Sequence, residues 1–394
     1  MCASTRFRVR HGVPDTITAG YKFICGILPF LSMTRRDFLG TAASAAVVAP
    51  RLNAAEADVS YQKMGLNTYC LRAFKWTDKQ LLDYAASLKL DGVFLQDSLD
   101  PDRDKLQHWR EIGAYARQLK LHIETGVGAV LPHSSDAVEA SRQQLLLGLA
   151  RSKACGSPLV RCLLAGDRAH LPPVSDARNI SAMVKLLKSV EPQFREAGLK
   201  VAIENHKDLQ AWETREVIEG AGKDWVGSYL DTGNPVFVVE NPLTTVEVLG
   251  PYALCVHLRD SVVYECPRGA MVQWVPLGQG DVDFHEIVQR VHTLKPDVYV
   301  YIKPITGRPP HLMPYLESAF WKGYPDARAF EFARFVALAK QGRPYEKAMV
   351  VEDVPGRKTP EPFVAALQYQ QREHMEESID YAKKSLNLGV RWRA

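Results

Sequence analysis

Between residues 64 and 340, short apolar runs alternate with segments whose apolar residues recur at helical spacing. Short apolar runs with β-branched residues are typical of buried parallel strands. Eight such runs are predicted as strands, at residues 64–69, 92–95, 121–125, 159–164, 200–204, 226–230, 254–257 and 298–302. Strict alternation of strands and helices favours a parallel sheet. We therefore predict an α/β fold in which the eight strands close into a (β/α)8 TIM barrel.

The alternative is a doubly wound open sheet, but no Gly-rich phosphate loop follows the first strand. We assign the barrel to residues 58–345 and a C-terminal extension to residues 346–394. The apolar spacing of residues 363–386 predicts one long helix in this extension. Such a helix is expected to pack on the barrel or on a neighbouring subunit, and in the second case the protein would be a homo-oligomer.

Residues 1–57 are interpreted as a leader. Arg35 and Arg36 precede Phe38 and Leu39, and an Ala/Val-rich stretch follows at residues 41–49. This pattern predicts a twin-arginine export signal, with a cleavage site in the small residues 55–57 and Met33 as an alternative start. The apolar stretch is too short to span a membrane. We expect a periplasmic or secreted protein with no stable membrane insertion after cleavage.

The leader also accounts for the positive charge of the chain. The totals are 49 Lys/Arg and 45 Asp/Glu, and residues 1–57 hold seven and three of them, which leaves 42 of each. No polybasic stretch remains that would favour binding to a phosphate backbone. This balance is easier to reconcile with a small neutral substrate, and no nucleic-acid partner is expected. The five cysteines after residue 57 contain no CxxC pair, so no disulfide framework or zinc ribbon is predicted.

Three successive strands end in side chains that bind metals. Glu204 ends the fifth predicted strand, Asp231 follows the sixth and His257 ends the seventh. In a (β/α)8 barrel the carboxyl ends of the strands form the active-site rim. Two carboxylates and an imidazole suit a divalent cation such as Mn, Mg, Co or Zn. We predict that these three residues bind one metal ion.

Other polar residues of the expected rim are candidates for substrate binding or catalysis. His206 is a candidate acid or sugar contact, with a loop histidine as the alternative. The candidate substrate-binding residues are Asn67, Glu124, Arg161, Asn234, Arg259 and Asp260. The alternatives are an ion pair inside the barrel for Arg161, a supporting position behind the metal ligands for Asn234 and Asp260, and a helix cap or surface ion pair for Asp260. Aromatic residues expected in rim loops, where they could stack on a sugar ring, are Trp212, Tyr264 and Trp274.

Four motifs together resemble the xylose isomerase-like TIM-barrel superfamily of sugar phosphate isomerases and epimerases. They are Glu204-Asn205-His206, Asp231-Thr232-Gly233-Asn234, His257-Leu258-Arg259-Asp260 and the Gly-rich stretch at residues 278–284. The resemblance implies a divalent metal, often manganese, that holds two neighbouring sugar oxygens while carboxylates move a proton next to a carbonyl. It makes Glu204, Asp231 and His257 three of four metal ligands.

The fourth ligand departs from the family pattern. The family usually has a glutamate at the end of the eighth strand, where this chain has Lys303. An ammonium group close to a metal cation is unfavourable. Lys303 is therefore a candidate proton donor or a replacement for the charge of the metal. If it instead points away, the site would bind metal weakly or not at all.

The leading hypothesis is a secreted, metal-dependent enzyme that transfers a proton next to a carbonyl on a sugar or keto-glycoside. Glu204, His206 and Lys303 are its candidate catalytic residues. The reaction would be an isomerisation, an epimerisation or an elimination, and loss of the acid at the eighth strand favours elimination by a lyase. The alternatives are a non-catalytic sugar-binding barrel and a nuclease similar to type-two apurinic endonucleases, which would need additional histidines.

The export signal is directly testable. Replacing both Arg35 and Arg36 with lysine removes the arginine pair that the export pathway reads. We expect the variant to remain in the cytoplasm, measured by immunoblotting of cell fractions, while the unchanged chain appears outside it. Equal export of both chains would contradict the twin-arginine assignment.

Overall fold

A computed structural model describes residues 61–96, 100–172, 174–347, 351–354 and 356–394. The interpreted export signal lies outside these residues. Within the described part of the chain, no helix combines the length and the apolar character that crossing a membrane requires.

The strands form one closed parallel barrel and one small antiparallel sheet. In chain order they are β1 (Met64–Asn67), β2 (Gly92–Leu95), β3 (His122–Ala129), β4 (Leu159–Leu163), β5 (Lys200–Glu204), β6 (Val226–Asp231), β7 (Ala253–Leu258), β8 (Asp260–Cys266), β9 (Gly269–Val275), β10 (Val300–Ile302) and β11 (His311–Met313). The barrel order is β1-β10-β7-β6-β5-β4-β3-β2. The predicted eight-stranded barrel is confirmed, and the open-sheet alternative is wrong.

Helices cover the barrel between successive strands. They are α1 (Asp78–Ser87), α2 (Leu106–Gln118), α3 (Ala137–Cys155), α4 (Asp176–Ala197), α5 (Ala211–Ala221), α6 (Pro242–Leu249), α7 (Phe284–Leu294), α8 (Ala329–Gln341) and α9 (Val364–Lys384). Their starts follow local chemistry. For example, Thr77 and Gln80 form a capping box before α1. Their apolar faces bury the main hydrophobic core against the outside of the barrel.

The small sheet was not predicted from the sequence. β8 and β9 form an antiparallel hairpin directly after β7, and β11 joins it in the order β11-β9-β8. Tyr264 and Trp274 lie on these strands and not in rim loops, so that expectation was wrong. The hairpin extends the rim on the side of β7 and β10.

The last two helices pack on different parts of the structure. Phe335 and Ala339 of α8 belong to the hydrophobic cluster of the small sheet. The predicted C-terminal helix is confirmed as α9, and its Met375 and Ile379 are buried in the main core of the barrel. The C-terminal extension thus contributes to the same core as the barrel helices.

Register and side-chain hydrogen bonds fix where the polar strand ends meet. Asp231 lies opposite His257, and Tyr301 lies opposite His257 on the other side. Asn205 joins β5 to β6, because its Oδ1 accepts from the Asp231 N–H (2.8 Å) and its Nδ2 donates to the Asp231 carbonyl (2.9 Å). Lys303 follows β10 directly, and its N–H donates to the Leu258 carbonyl (3.0 Å).

Candidate active site at the barrel rim

The three predicted metal ligands meet at the carboxyl ends of β5, β6 and β7. Glu204, Asp231 and His257 are completely buried. Each offers one ligand atom, and these atoms lie within 4.8 Å of one another, so the group could hold a metal ion. His257 Nδ1 is 3.8 Å from Glu204 Oε1 and 3.6 Å from Asp231 Oδ2.

The Lys303 ammonium lies among these same three atoms. Its Nζ is 2.7 Å from Glu204 Oε1, 3.2 Å from Asp231 Oδ2 and 3.3 Å from His257 Nδ1. Only 2% of Lys303 is exposed. The lysine therefore points into the site, and the interpretation in which it points away is wrong.

Two arginines approach the carboxylates from their other sides. Arg161 donates to Glu204 Oε2 (2.5 Å), and Arg259 Nη1 lies 3.3 Å from Asp231 Oδ2. Burial alone would raise the pKa of Glu204, but Arg161 and Lys303 outweigh it and hold that pKa well below its usual value. Burial also opposes ionisation of Asp231, whose pKa Arg259 and Lys303 lower. Both carboxylates are therefore anions in ion pairs and poor proton acceptors.

Asn67 orients His257. Asn67 Oδ1 accepts from the Tyr69 N–H (2.9 Å), which leaves its Nδ2 to donate to His257 Nε2 (3.0 Å). Since a neutral imidazole carries one N–H, its proton lies on Nδ1, the atom that faces Glu204 and Asp231. Burial and Lys303 lower the pKa of His257, which favours this neutral form. Asn67 was predicted as a substrate contact and is observed as a partner of His257.

The donor set does not fit a divalent cation as the side chains stand. A metal-bound histidine normally donates its second N–H to an acceptor, whereas Asn67 presents a donor to Nε2. A divalent cation about 3 Å from the Lys303 ammonium would be repelled by on the order of 10 kcal/mol at an effective dielectric of 20. Metal binding through Glu204, Asp231 and His257 therefore requires that Lys303 leave this position, and the metal remains a prediction.

A cavity of about 360 Å³ opens above Lys303. This volume lies within the range of small-molecule sites. Polar and aromatic side chains from the barrel rim and the small sheet line it: Tyr69, Gln96, Arg161, His206, Lys207, Phe237, Arg259, Gln273, Trp274, Lys303, Arg308 and His311. A cavity of a size that suits a small molecule thus lies at the barrel rim, where the active site was expected.

His206 lines this cavity and has one ring nitrogen available. Its Nδ1 contacts the Gly166 carbonyl, and donation there leaves the Nε2 lone pair free. Burial is the largest influence on its pKa, which it lowers to about 4, so the ring is neutral near pH 7. The free Nε2 lone pair can accept a proton from a bound substrate, and the lowered pKa makes the ring a weak base.

Asn234 and Asp260 form hydrogen bonds that hold neighbouring residues in place outside the cavity. Asn234 Nδ2 lies 3.4 Å from Glu204 Oε1, and its Oδ1 accepts from Arg259 (2.9 Å). The buried Asp260 accepts from the backbone N–H groups of Gly278 and Gly280, both at 2.9 Å. A Cβ at Gly280 would meet Asp260 Oδ1 at 2.3 Å, which explains the glycine there. Neither residue lines the cavity, so the observed contacts agree with the predicted supporting role and not with the predicted substrate contact.

Glu124 does not end its strand, and this prediction was wrong. β3 continues to Ala129, so Glu124 is the third of its eight residues. Its carboxylate contacts His122 (3.2 Å), and both residues line a different pocket, beside residues 294–299. In the sequence, the apolar pattern of this strand stops at Thr125, because Gly126 and Gly128 interrupt it. Trp212 lies in the first turn of α5 and is not among the cavity-lining residues.

Several cavity residues were missed in the sequence. Gln273 comes from β9, His311 from β11, and Arg308 from the segment between β10 and β11. The alternating apolar residues of 260–266 and 269–275, with Gly269 at the turn, were a hairpin signal. That signal could have located Gln273, whereas nothing local to Arg308 marks it as a cavity residue.

Comparison with known proteins identifies the fold family. Residues 82–319 match the family model described as Xylose isomerase-like TIM barrel. The "Uncharacterized protein YihM" of Escherichia coli (strain K12) is 25% identical over 224 residues, which are 55% of this chain and 63% of that protein. The chain thus spans less than two thirds of the length of this relative.

Two solved structures of similar fold are sugar epimerases. A D-psicose 3-epimerase, whose structure was determined in the presence of D-fructose, has a TM-score of 0.51 and 17% identity, covering 70% of this chain and 95% of its own. The 3-keto-D-glucoside 4-epimerase YcjR from E. coli has a TM-score of 0.50 and 14% identity, covering 67% and 98%. At these identities the likeness shows the fold alone.

The competition between Lys303 and a metal predicts an unusual response to mutation. Replacing Lys303 with Glu removes a cation and adds an anionic ligand, so the affinity for Mn²⁺ should rise at least tenfold. Isothermal titration of the wild-type and variant proteins with MnCl₂ measures this change. Lys207→Glu is the matched control, because Lys207 also lines the cavity but pairs with Asp167 (2.9 Å). Tight Mn²⁺ binding by the wild type, unchanged in Lys303→Glu, would contradict this picture.

Proposed function

Because this chain belongs to the xylose isomerase-like TIM barrel family, we propose that it is a sugar isomerase/epimerase-like enzyme that transfers a proton next to a carbonyl group. The proposed substrate is a sugar or keto-glycoside. The rim cavity, its size and its mixture of polar and aromatic side chains support a carbohydrate ligand. The sugar epimerases of similar fold are consistent with this class of substrate.

The observation that carries the proposal is the position of Lys303. The family resemblance implied a divalent metal that would hold two neighbouring sugar oxygens, and we propose that the Lys303 ammonium supplies the positive charge instead. It has three N–H groups. Two are directed at Glu204 and Asp231. Lys303 Nζ also lies 3.3 Å from His257 Nδ1, but that nitrogen carries the imidazole proton and does not accept. The third N–H can therefore bond to a substrate oxygen in the cavity and stabilise the negative charge that develops on it.

His206 is the proposed proton acceptor. Its electrostatic neighbours include Glu204 and Lys303, whereas those of His311, the other cavity histidine, are Lys207 and Asp167. In the proposed step, His206 Nε2 takes the proton from the carbon next to the carbonyl. The electron pair moves to the carbonyl oxygen, which Lys303 stabilises as an enolate. For an isomerisation, the proton returns to the former carbonyl carbon of the enediol while a second proton moves between its two oxygens. For an epimerisation, a proton from solvent is delivered to the opposite face of the same carbon. For an elimination, a leaving group on the next carbon departs with the proton that His206 took.

We also propose that the protein acts outside the cytoplasm, a proposal that rests on the twin-arginine motif at Arg35 and Arg36.

Loss of the family's fourth ligand does not remove the charge that the reaction needs, since Lys303 supplies a cation at the same rim. This consideration favours an enzyme over a binding protein that has lost its chemistry.

Hydrogen–deuterium exchange tests the proposed proton transfer, whichever product the reaction forms. Ketohexoses and 3-keto-glucosides are incubated with the protein in D₂O, and exchange next to the carbonyl is followed by NMR. We expect exchange on at least one compound, undiminished by EDTA. Lys303→Met should lower kcat at least 100-fold, because it removes the charge that stabilises the enolate and retains the length of the side chain.

Lys207→Met is the matched control, since it removes a cavity cation outside the cluster around Glu204 and should lower kcat less than tenfold. Circular dichroism verifies that both variants are folded. Exchange that requires added metal, or that survives in Lys303→Met, would contradict the proposed role of the lysine. Binding of sugars with no exchange on any compound would instead identify a non-catalytic barrel.

A further inference from the structure

The cavity above Lys303 is lined by five cationic side chains. They are Arg161, Lys207, Arg259, Lys303 and Arg308. Among the described residues that line it, none is an aspartate or a glutamate. A neutral sugar needs no such concentration of positive charge around it. Whether each cation has an anionic partner therefore bears on the charge of the ligand.

Three carboxylates neutralise part of this charge. Glu204 pairs with Arg161 and Lys303, Asp231 pairs with Arg259 and Lys303, and Asp167 pairs with Lys207. Five cations therefore meet three anions, which leaves a surplus of two positive charges.

Asp208 does not cancel this surplus. Its buried carboxylate accepts hydrogen bonds from the backbone N–H groups of Ala165, Gly166 and Leu209 and does not line the cavity. Even if its charge is counted, the cavity remains positive.

The surplus is concentrated on Arg259 and Arg308. Only 1% of Arg259 is exposed, yet its Nε and Nη2 have no hydrogen-bond partner among the described residues. Arg308 Nη1 is likewise buried and unpartnered, and its Nη2 has only a long contact with the Tyr69 hydroxyl (3.5 Å). Burial and the nearby Arg72 lower the pKa of Arg308 more than Asp353, which pairs with Arg72, raises it.

Both arginines are held in place by neighbouring residues of β9. The Arg259 guanidinium lies 3.7 Å from the centre of the Trp274 ring, and Gln273 Nε2 donates to the Arg308 carbonyl (2.8 Å). A Cβ at Gly233 would lie 2.5 Å from Arg259 Cβ, so the glycine makes room for this arginine. The side chain of Arg259 and the backbone of Arg308 are therefore fixed by the fold.

We propose that the substrate of this site carries an oxyanion group, a carboxylate or a phosphate on the sugar, that binds the free guanidinium N–H groups of Arg259 and Arg308. Buried guanidinium groups form strong hydrogen bonds with such oxyanions. The assignment rests on the proposed function for the sugar part of the ligand. The anionic part rests on the charges of the cavity alone.

Binding measurements with matched sugars test the assignment. Glucose, glucuronate and glucose 6-phosphate share a ring and differ in charge, so titration calorimetry with each reports the contribution of the anion. We expect at least one of the two anionic sugars to bind the wild-type protein tenfold or more tighter than glucose. The better of the two identifies the oxyanion as a carboxylate or a phosphate.

Arg308 is the residue to vary, because Arg259 also contacts Asp231 and its loss would disturb the ion-pair cluster. Arg308→Met should reduce the preference for the anionic sugar to less than threefold, and Arg308→Lys should retain part of it. Arg268→Met is the matched control, since Arg268 lies exposed between β8 and β9 and pairs with Glu317. It should leave the preference unchanged.

Equal affinity for glucose and both anionic sugars would overturn the inference, as would an anion preference that persists in Arg308→Met. Binding of inorganic phosphate or acetate as tightly as the anionic sugars would also overturn it, because the sugar would then contribute nothing. These titrations involve no turnover. Anion binding without any proton exchange would therefore defeat the proposed function alone, and exchange on neutral keto-sugars without anion binding would defeat this inference alone.

Discussion

The site depends on a buried ammonium held between two carboxylates. Lys303 lies 2.7 Å from Glu204 and 3.2 Å from Asp231, and all three side chains are removed from solvent. Buried charges are costly unless they are paired and hydrogen-bonded. Arg161 and Arg259 complete the pairing on the outer sides of the two carboxylates. The cluster keeps the acidic residues of the family motif but gives them a cation that belongs to the protein itself.

This arrangement changes which residues are free to do chemistry. The oxygens of both carboxylates are engaged by cations, so a proton acceptor with a free lone pair must come from elsewhere in the cavity. His206 meets this requirement because its Nδ1 is engaged by the Gly166 carbonyl and its Nε2 is free. Arg259, which stabilises Asp231, also has Nε and Nη2 groups with no acceptor in the described structure. The cluster of Lys303, Glu204, Asp231 and their arginines therefore accounts for an ammonium group held in a fixed position and for part of the surplus positive charge of the cavity.

Much of the fold was readable from the sequence. The apolar runs before Glu204, Asp231 and His257 are local signals, and a parallel barrel brings the ends of its strands to one rim. The hairpin of β8 and β9 was missed because its first strand begins only three residues after His257. The segment was therefore interpreted as a rim loop. Glu124 was misplaced because glycines interrupt the apolar pattern of β3.

The roles of the rim residues were harder to read than their positions. Whether Asn67 contacts a substrate or orients His257 depends on which way its amide points, and the Tyr69 N–H fixes this direction. Arg161 illustrates the same limit, since an ion pair inside the barrel and a place at the cavity wall were both open and both are observed. Which N–H groups of Arg259 and Arg308 have a hydrogen-bond partner depends on contacts between distant segments, and no local pattern encodes such contacts.

The central claim is that a lysine occupies the place of the metal. Crystals soaked in MnCl₂ and measured at a wavelength where manganese scatters anomalously test it most directly. The account predicts no anomalous peak among Glu204, Asp231 and His257, with the electron density of the Lys303 side chain between them. An anomalous peak within about 2.0–2.6 Å of these ligand atoms, with Lys303 turned away, would contradict it.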